Sequence, residues 1–315
     1  MSMIFTVLAS GSGGNSTCLR ATDFGVLIDV GLNPKQLQER LEAVGLEWAD
    51  INAVLLTHTH SDHWYDGTLS RLAEMNIPLY THFEHQQTLK ASSTAFATLS
   101  AKGLIFAYEP GTCLQLSPTL SCLPFLVRHD SGATCGFRFD GPRDIFGEPT
   151  CAGYVADLGS WDETIANHLT NVELLAVEFN HDEDLQRGSS RSRKIIARNL
   201  GNAGHLSNDQ AVGLIRRVLE LSDPHRLQHV VQLHLSEECN RIPLAHGSMN
   251  EILANEPQLQ LHTALQNKPL DSIVMTDGTK KSKPRKKKQK SHHSTTEPTE
   301  VYSQPMLPWE DESAG

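Results

Sequence analysis

The 315-residue chain reads as an α/β layered domain. Three observations predict this. Short apolar runs bounded by turn residues alternate with segments whose apolar residues recur at helical spacing. Two of the runs, Ala53–Thr57 and Leu174–Glu178, have the compact apolar character of strands buried on both faces. Between them lies a β-rich middle, so the two halves share a rhythm without an internal sequence repeat.

The elements follow in order. Ile4–Ala9, Thr17–Ala21 and Val26–Val30 are apolar, separated by turn residues, and read as strands. Pro34–Val44 reads as a helix with Leu37, Leu41 and Val44 on one face. The strand at Ala53–Thr57 runs straight into a cluster of histidines, followed by a short helix at Gly67–Met75 and a strand at Pro78–Tyr80. The middle supplies strands at Leu104–Tyr108, Cys113–Leu116, Leu120–Val127, Cys135–Phe139 and Gly153–Ala156. Trp161–Leu169 is expected to be helical and Leu174–Glu178 a strand. Lys194–Leu200 and Asn208–Leu221 are helical by period, and His229–Leu233 is a strand. Glu251–Asn255 falls in a helix, and Leu259–Ala264 and Ser272–Met275 are expected as closing edge strands.

Composition narrows the class. With 39% hydrophobic and 20% charged residues, the chain is a soluble globular protein with a tail, not a disordered one. No apolar stretch reaches the length of a bilayer span, so no membrane partner is expected. Met1–Ser10 has no basic start and only a short apolar run, so no secretion signal is expected. The six cysteines contain no CxxC pair, which fits a reducing cytoplasm and small buried side chains. Residues 278–315 hold 8 Lys+Arg and 5 Asp+Glu, basic first and then Ser/Thr/Pro-rich, with no apolar period. This segment is expected to be a disordered tail, with Lys280–Lys290 as a stretch that either binds nucleic acid nonspecifically or only solubilises. The folded domain is expected to be residues 1–277, with 19 basic and 32 acidic groups. A body this acidic repels nucleic acid on average, so any phosphate binding must be local.

The densest chemical signal is Thr57-His58-Thr59-His60-Ser61-Asp62-His63-Trp64. Three imidazoles and a carboxylate fall within six residues, directly after a buried strand. A loop at a strand end can turn them inward together, where a continuing strand would send alternate ones to opposite faces. His58 and His60 can grip one ion and Asp62 and His63 a second. Imidazole and carboxylate donors without nearby cysteine suit Zn, Mn or Fe. The competing account is a solvated His-rich turn. The Gly-rich loop Ser10–Ser16 lacks the lysine of a phosphate-binding P-loop and reads as a turn bordering the site, where Ser12 and Asn15 could support the histidine loop.

The pattern His58-x-His60-x-Asp62-His63 resembles the first metal motif of the metallo-β-lactamase superfamily. His129 in Val127-Arg128-His129-Asp130, Asp157 in Ala156-Asp157-Leu158-Gly159 and His234 in Leu233-His234-Leu235-Ser236 resemble its later ligands in order. Glu178 in Glu178-Phe179-Asn180-His181-Asp182 and His205 in Gly204-His205-Leu206-Ser207-Asn208 resemble the paired elements of ribonuclease Z-like phosphodiesterases. Together with Ser10-Gly11-Ser12-Gly13-Gly14-Asn15-Ser16, they are most similar to the bacterial YycJ/WalJ/VicX group, over about Ile4 to Met275.

The resemblance implies a four-layer αβ/βα sandwich and a hydrolase domain at 1–277. It implies two divalent ions, Zn or Mn with Fe as a further option. His58, His60 and His129 would hold one, Asp62, His63 and His234 the other, and Asp157 would bridge them. It implies a cytoplasmic phosphodiesterase with a metal-bridging hydroxide, acting as an exonuclease with DNA as partner. Asp62, His205 and Glu178 are its catalytic candidates, with His205 meeting the phosphate or leaving oxygen and Glu178 fixing its ring. Three alternatives stay open: an RNA-processing phosphodiesterase, a glyoxalase-II-type thioesterase or lactonase, and an inactive metal-binding module. No long Gly/Pro-rich insertion suggests a tRNA-binding arm. His82, His85, His168, His181, His225, His229, His246 and His262 are expected to serve packing or the surface, His82 and His85 at an exposed helix start. Trp64 is expected to pack beneath the histidine loop.

Overall fold

The computed structural model describes residues 2–276, apart from 23 and 145. The tail expected from 278 onward, with Lys280–Lys290, lies outside the described residues.

Fourteen strands form two seven-stranded sheets among the described residues. The first half of the chain contributes β1 (Ser2–Ala9), β2 (Ser16–Ala21), β3 (Phe24–Ile28), β4 (Ala53–Leu55), β5 (Leu79–Thr81) and β6 (Ile105–Ala107). The second contributes β7 (Leu114–Ser117), β8 (Leu120–Val127), β9 (Thr134–Arg143), β10 (Pro149–Val155), β11 (Leu174–Glu178), β12 (His229–Leu233) and β13 (Gln260–Thr263). β14 (Ile273–Thr276) returns to the first sheet and pairs antiparallel with β1. The sheet orders are β14-β1-β2-β3-β4-β5-β6 and β13-β12-β11-β10-β9-β8-β7. Each sheet begins as an antiparallel meander and continues with parallel strands. That is the shared rhythm of the two halves.

The helices that cover the sheets are α1 (Pro34–Ala43), α2 (Asp66–Met75), α3 (Phe83–Ser92), α4 (Thr94–Ala101), α5 (Glu163–His168), α6 (Glu183–Arg187), α7 (Arg193–Asn199), α8 (Asn208–Leu221), α9 (Ile242–Ser248) and α10 (Asn250–Asn255). Local chemistry sets several starts. Asn33 caps α1, accepting from the Gln36 N–H, with Pro34 in the first turn where its missing N–H costs nothing. Ser207 and Gln210 form a reciprocal capping box on α8.

Three cores define four layers. Phe5, Val7, Leu55, Phe137, Phe139, Tyr154 and Leu233 fill the space between the sheets. Leu37, Leu41, Leu69, Leu72, Phe96 and Leu99 pack helices on the outer face of the first sheet. Ile165, Leu214, Ile215, Val218 and Ala245 do so on the second. This is the four-layer αβ/βα sandwich expected.

Leu120–Val127, Leu174–Glu178, Asn208–Leu221 and His229–Leu233 keep the expected bounds, and the other expected elements moved by one to four residues. Val26–Val30 ends as a strand at Ile28, because Asp29 takes φ +61° and turns the chain. α3, α4, α6 and α9 were not foreseen. α3 buries only His85 and Leu89, so it offers no apolar stripe to read.

Candidate metal centre

Strand direction gathers the site. β8 and β10 both run antiparallel to β9, and β11 and β12 continue parallel to β10, so all four end at one edge of the second sheet. β3 and β4 end together in the first sheet. Glu178 is the last residue of β11, and the segments leaving these ends carry Asp29, His58, His60, Asp62, His63, His129, Asp157 and His234. Carboxyl ends of parallel strands are the usual place for a site in such sheets. Asp29, Asp157 and His234 each adopt positive φ, at 61°, 54° and 54°. Gly31 lets the histidine loop close over the end of β3: a Cβ there would meet the Asp62 carbonyl oxygen at 1.8 Å.

The donors converge. Ligand atoms of His58, His60 and His129 lie within 4.8 Å of one another, as do those of Asp62, His63 and His234, and those of His58, His63 and Asp157. A fourth set joins Asp157, Glu178, His205 and His234. All seven expected metal ligands and both members of the His205–Glu178 pair therefore meet in one place.

Hydrogen bonds outside this cluster decide which ring nitrogens face inward. Thr57 Oγ1 donates to Asp29 at 2.8 Å, so it can only accept from His58 Nδ1 at 3.0 Å, and His58 Nε2 is left bare. His129 Nδ1 donates to the Gly204 carbonyl at 2.8 Å, which leaves its Nε2 facing His60 Nδ1 at 3.3 Å. His63 Nδ1 donates to Asp29 at 2.7 Å, and its Nε2 stands 2.8 Å from Asp157 Oδ2. Lone pair thus faces lone pair at the centre. His58 Nε2, Asp157 Oδ2 and His234 Nε2 are buried without a hydrogen-bond partner. Such an arrangement is repulsive unless positive charge sits within it.

Electrostatics agree. Burial lowers the pKa of His58, His60 and His129 and holds those rings neutral, as ligands must be. Burial also works against charging His63, but Asp29 and Asp157 outweigh it and push its pKa well above the usual imidazole value. That ring calls for a proton or a cation beside it. Imidazole and carboxylate donors with no thiolate suit a divalent ion.

Beside the cluster, His205 Nδ1 donates to Glu178 Oε1 at 2.7 Å. Glu178 Oε2 accepts from the N–H groups of Leu158 and Leu206, at 3.0 and 3.1 Å, so the fully buried carboxylate is fixed from three sides. Burial disfavours charge on both groups, yet their mutual attraction wins: Glu178 falls to about 2 and His205 rises to about 9. His205 Nε2 has no hydrogen bond within the described residues, and 11% of the side chain stays exposed.

Several supporting residues had no motif to announce them. Asp29 bonds both His63 and Thr57, and the only signal was a lone acid closing the apolar run Val26-Leu27-Ile28. Asn180 donates to the His234 carbonyl at 3.0 Å, and Ser10 Oγ accepts from the His234 N–H at 2.8 Å. Asn15 reaches Asp62 Oδ2 at 3.2 Å and His63 Nε2 at 3.1 Å, as the loop reading allowed, whereas Ser12 is exposed and takes no part. Trp64 packs against the core beneath the loop and donates to the Thr59 carbonyl. A cavity of about 590 Å³ is lined by Ser10, Leu235, Asn240, Ile242 and Leu265 among others, Leu235 being the residue after His234. His181 is 1% exposed, with neither ring nitrogen bonded. Cys113 is exposed, unlike the other five cysteines.

The exposed helix start expected at His82 and His85 is buried. His85 is 1% exposed, accepts from the His82 N–H and donates to the Ala133 carbonyl at 2.7 Å, joining α3 to the loop after His129. Burial, with His82 adding to it, lowers its pKa to about 4. The unfolded ring titrates near 6.5, so the stabilising neutral form is fully present above that pH and is lost as pH falls from about 6.5 to 4. We expect urea unfolding of the wild type to lose about 2 kcal/mol more than that of His85→Gln between pH 7 and 4.5. Parallel pH profiles for the two proteins would refute this.

A four-layer sandwich with histidine and aspartate donors gathered at its strand ends defines a metal-site hydrolase fold, and the match of residues 25–223 to the beta-lactamase superfamily domain places the chain in that family. Within it, the chain is similar to exodeoxyribonuclease WalJ of Streptococcus pneumoniae, 32% identical over 251 residues that cover 79% of this chain and 88% of that one. It is 26% identical over 254 residues to exodeoxyribonuclease YycJ of Bacillus anthracis, covering 80% and 90%. Zinc-bound PqqB from Methylobacterium extorquens shares the fold, with a TM-score of 0.59 and 15% identity over 85% of this chain and 99% of that one.

Proposed function

We propose that the chain is a metal-dependent DNA exonuclease whose catalytic domain is residues 1–277. The observation that carries the phosphodiesterase chemistry is the buried His205–Glu178 pair beside the donor cluster, at 2.7 Å. DNA and exonucleolytic action are supported by the names of the two relatives. We assign His58, His60 and His129 to one divalent ion, Asp62, His63 and His234 to a second, and Asp157 to both, with Zn or Mn as the metal. Ions bound there would acidify the attacking water and neutralise charge developing on the phosphate.

The chain's own groups do the rest. Asp29, Thr57 and Gly204 hold the histidine rings with their bare nitrogens inward. Burial opposes ionisation of Asp62, but the His234 ring, its Nε2 3.5 Å from Asp62 Oδ2, outweighs it and lowers its pKa, so the side chain stays an ionised carboxylate free to accept a proton from the attacking water. The water oxygen joins phosphorus as the bond to the leaving sugar oxygen breaks. His205, its Nδ1 proton committed to Glu178, presents Nε2 to donate to a phosphate oxygen or to that leaving oxygen. A thioesterase would have no need of this second proton donor. The relatives' names favour DNA over RNA. No described helix is long and apolar enough to cross a membrane. None of the six cysteines is in a disulfide, which supports a reducing, cytoplasmic setting.

The test is a substrate panel with Zn or Mn: end-labelled double-stranded DNA, end-labelled RNA, bis-p-nitrophenyl phosphate and S-lactoylglutathione. Progressive shortening of DNA from an end, with bis-p-nitrophenyl phosphate turnover, is expected. Faster turnover of RNA or of the thioester than of DNA would reject the reading.

A further inference from the structure

One strongly charged stretch plays no part in the chemistry so far. Between Arg187 and Arg198 the chain reads RGSSRSRKIIAR: five basic residues and no acidic one, in a 1–277 body with 32 acidic and 19 basic groups. It runs from the end of α6 through α7 and leads, after a short turn, to His205.

Arg187 pairs with Glu183 on α6, and two further ion pairs fix the segment's place. Near one end, Arg191 Nε donates to Glu238 at 2.7 Å, four residues beyond His234. At the other, Arg198 grips Asp130, the residue after His129, with Nε on one oxygen and Nη2 on the other at 2.7 Å. The segment is therefore tied to the loops that bear two of the metal-ligand candidates. Between these anchors, Arg193 and Lys194 are exposed and have no carboxylate partner among the described residues. Exposed basic side chains without a carboxylate partner among the described residues also occur at Lys90 and Lys268, but Arg193 and Lys194 lie on a segment anchored to the loops of the candidate site, where they offer charge for something anionic to meet.

We infer that the Arg187–Arg198 segment is the surface on which the DNA strand lays phosphates other than the scissile one, with Arg193 and Lys194 as the direct contacts. The inference rests on the DNA exonuclease reading. It answers a difficulty of that reading, since the acidic body would otherwise repel a long polyanion whose scissile phosphate alone is drawn to the ions. Contacts of this kind position a strand without reading its sequence.

The test uses the full chain loaded with metal, and the double variant Arg193→Ala/Lys194→Ala. Hydrolysis of end-labelled double-stranded DNA is followed from 50 to 200 mM salt, with bis-p-nitrophenyl phosphate in parallel and Lys35→Ala as a control on α1, where Lys35 pairs with Glu39. The double variant is expected to raise the KM for DNA on the order of tenfold at low salt. It should also flatten the dependence of log KM on log salt by about two, one for each lost contact. Turnover of the small diester should not change, and Lys35→Ala should behave as wild type. Unchanged KM and salt slope for DNA would overturn the inference, as would an equal loss on both substrates or an equal effect of Lys35→Ala. A wild-type protein that hydrolyses the small diester but not DNA would instead defeat the exonuclease reading itself.

Discussion

Asp157→Ala is expected to lose bis-p-nitrophenyl phosphate turnover by about 10³- to 10⁵-fold, since an ion that stabilises transition-state charge contributes several kcal/mol. Asp157 is 2% exposed and stands 2.8 Å from His63 and 3.3 Å from His234 in one half of the donor cluster, and it shares a set of ligand atoms within 4.8 Å of one another with His58 of the other half. No neighbouring carboxylate has the same reach: Asp62 meets His63 and His234 but belongs to no set with His58. Removing Asp157 should therefore weaken retention of metal as well as turnover. Metal content after dialysis, measured beside the rate, checks both. A variant that keeps its metal and its rate would contradict the assignment of Asp157 between two ions.

His205→Ala is expected to cost about 10²- to 10⁴-fold in kcat, the range for a positioned proton donor. Here metal content should hold, because the ring nitrogen nearest the ligands, Nδ1, is already committed to Glu178. The contrast with Asp157→Ala is the informative result: one variant loses ion and rate together, the other the rate alone. If His205→Ala also sheds metal, the ring is a ligand or a brace for one, and the proton-donor role falls.

Much of this site could be read along the chain because its first part is contiguous. His58, His60, Asp62 and His63 sit in one loop, and local spacing alone marks them as potential donors. The strands at Leu120–Val127, Leu174–Glu178 and His229–Leu233, and the helix at Asn208–Leu221, were legible to the residue, because their apolar pattern matches the face they bury. α3 and α4 were not. Phe83 leads its helix yet is exposed, and the start of α3 is set by two histidines that bond each other's backbone, a device with no hydrophobic signature. Asp29 illustrates the deeper limit. It acts on Thr57, 28 residues away, and on His63, 34 residues away, and only the parallel pairing of β3 with β4 brings them together. The unpaired charge on α7 was likewise invisible, since a basic stretch gives no hint of which of its members will find an acid.

The positive φ angles of Asp29, Asp157 and His234 carry an evolutionary implication. Left-handed backbone costs a side-chain-bearing residue of order 1 kcal/mol, and glycine escapes most of that cost. The three kinks that aim these side chains inward are thus places where the backbone by itself would be more comfortable without them. Heat resistance alone would not favour glycine at Asp29, where losing the carboxylate would leave the Thr57 N–H and hydroxyl and the His63 Nδ1 proton buried without an acceptor, so there the kink is held by the very bonds it makes possible.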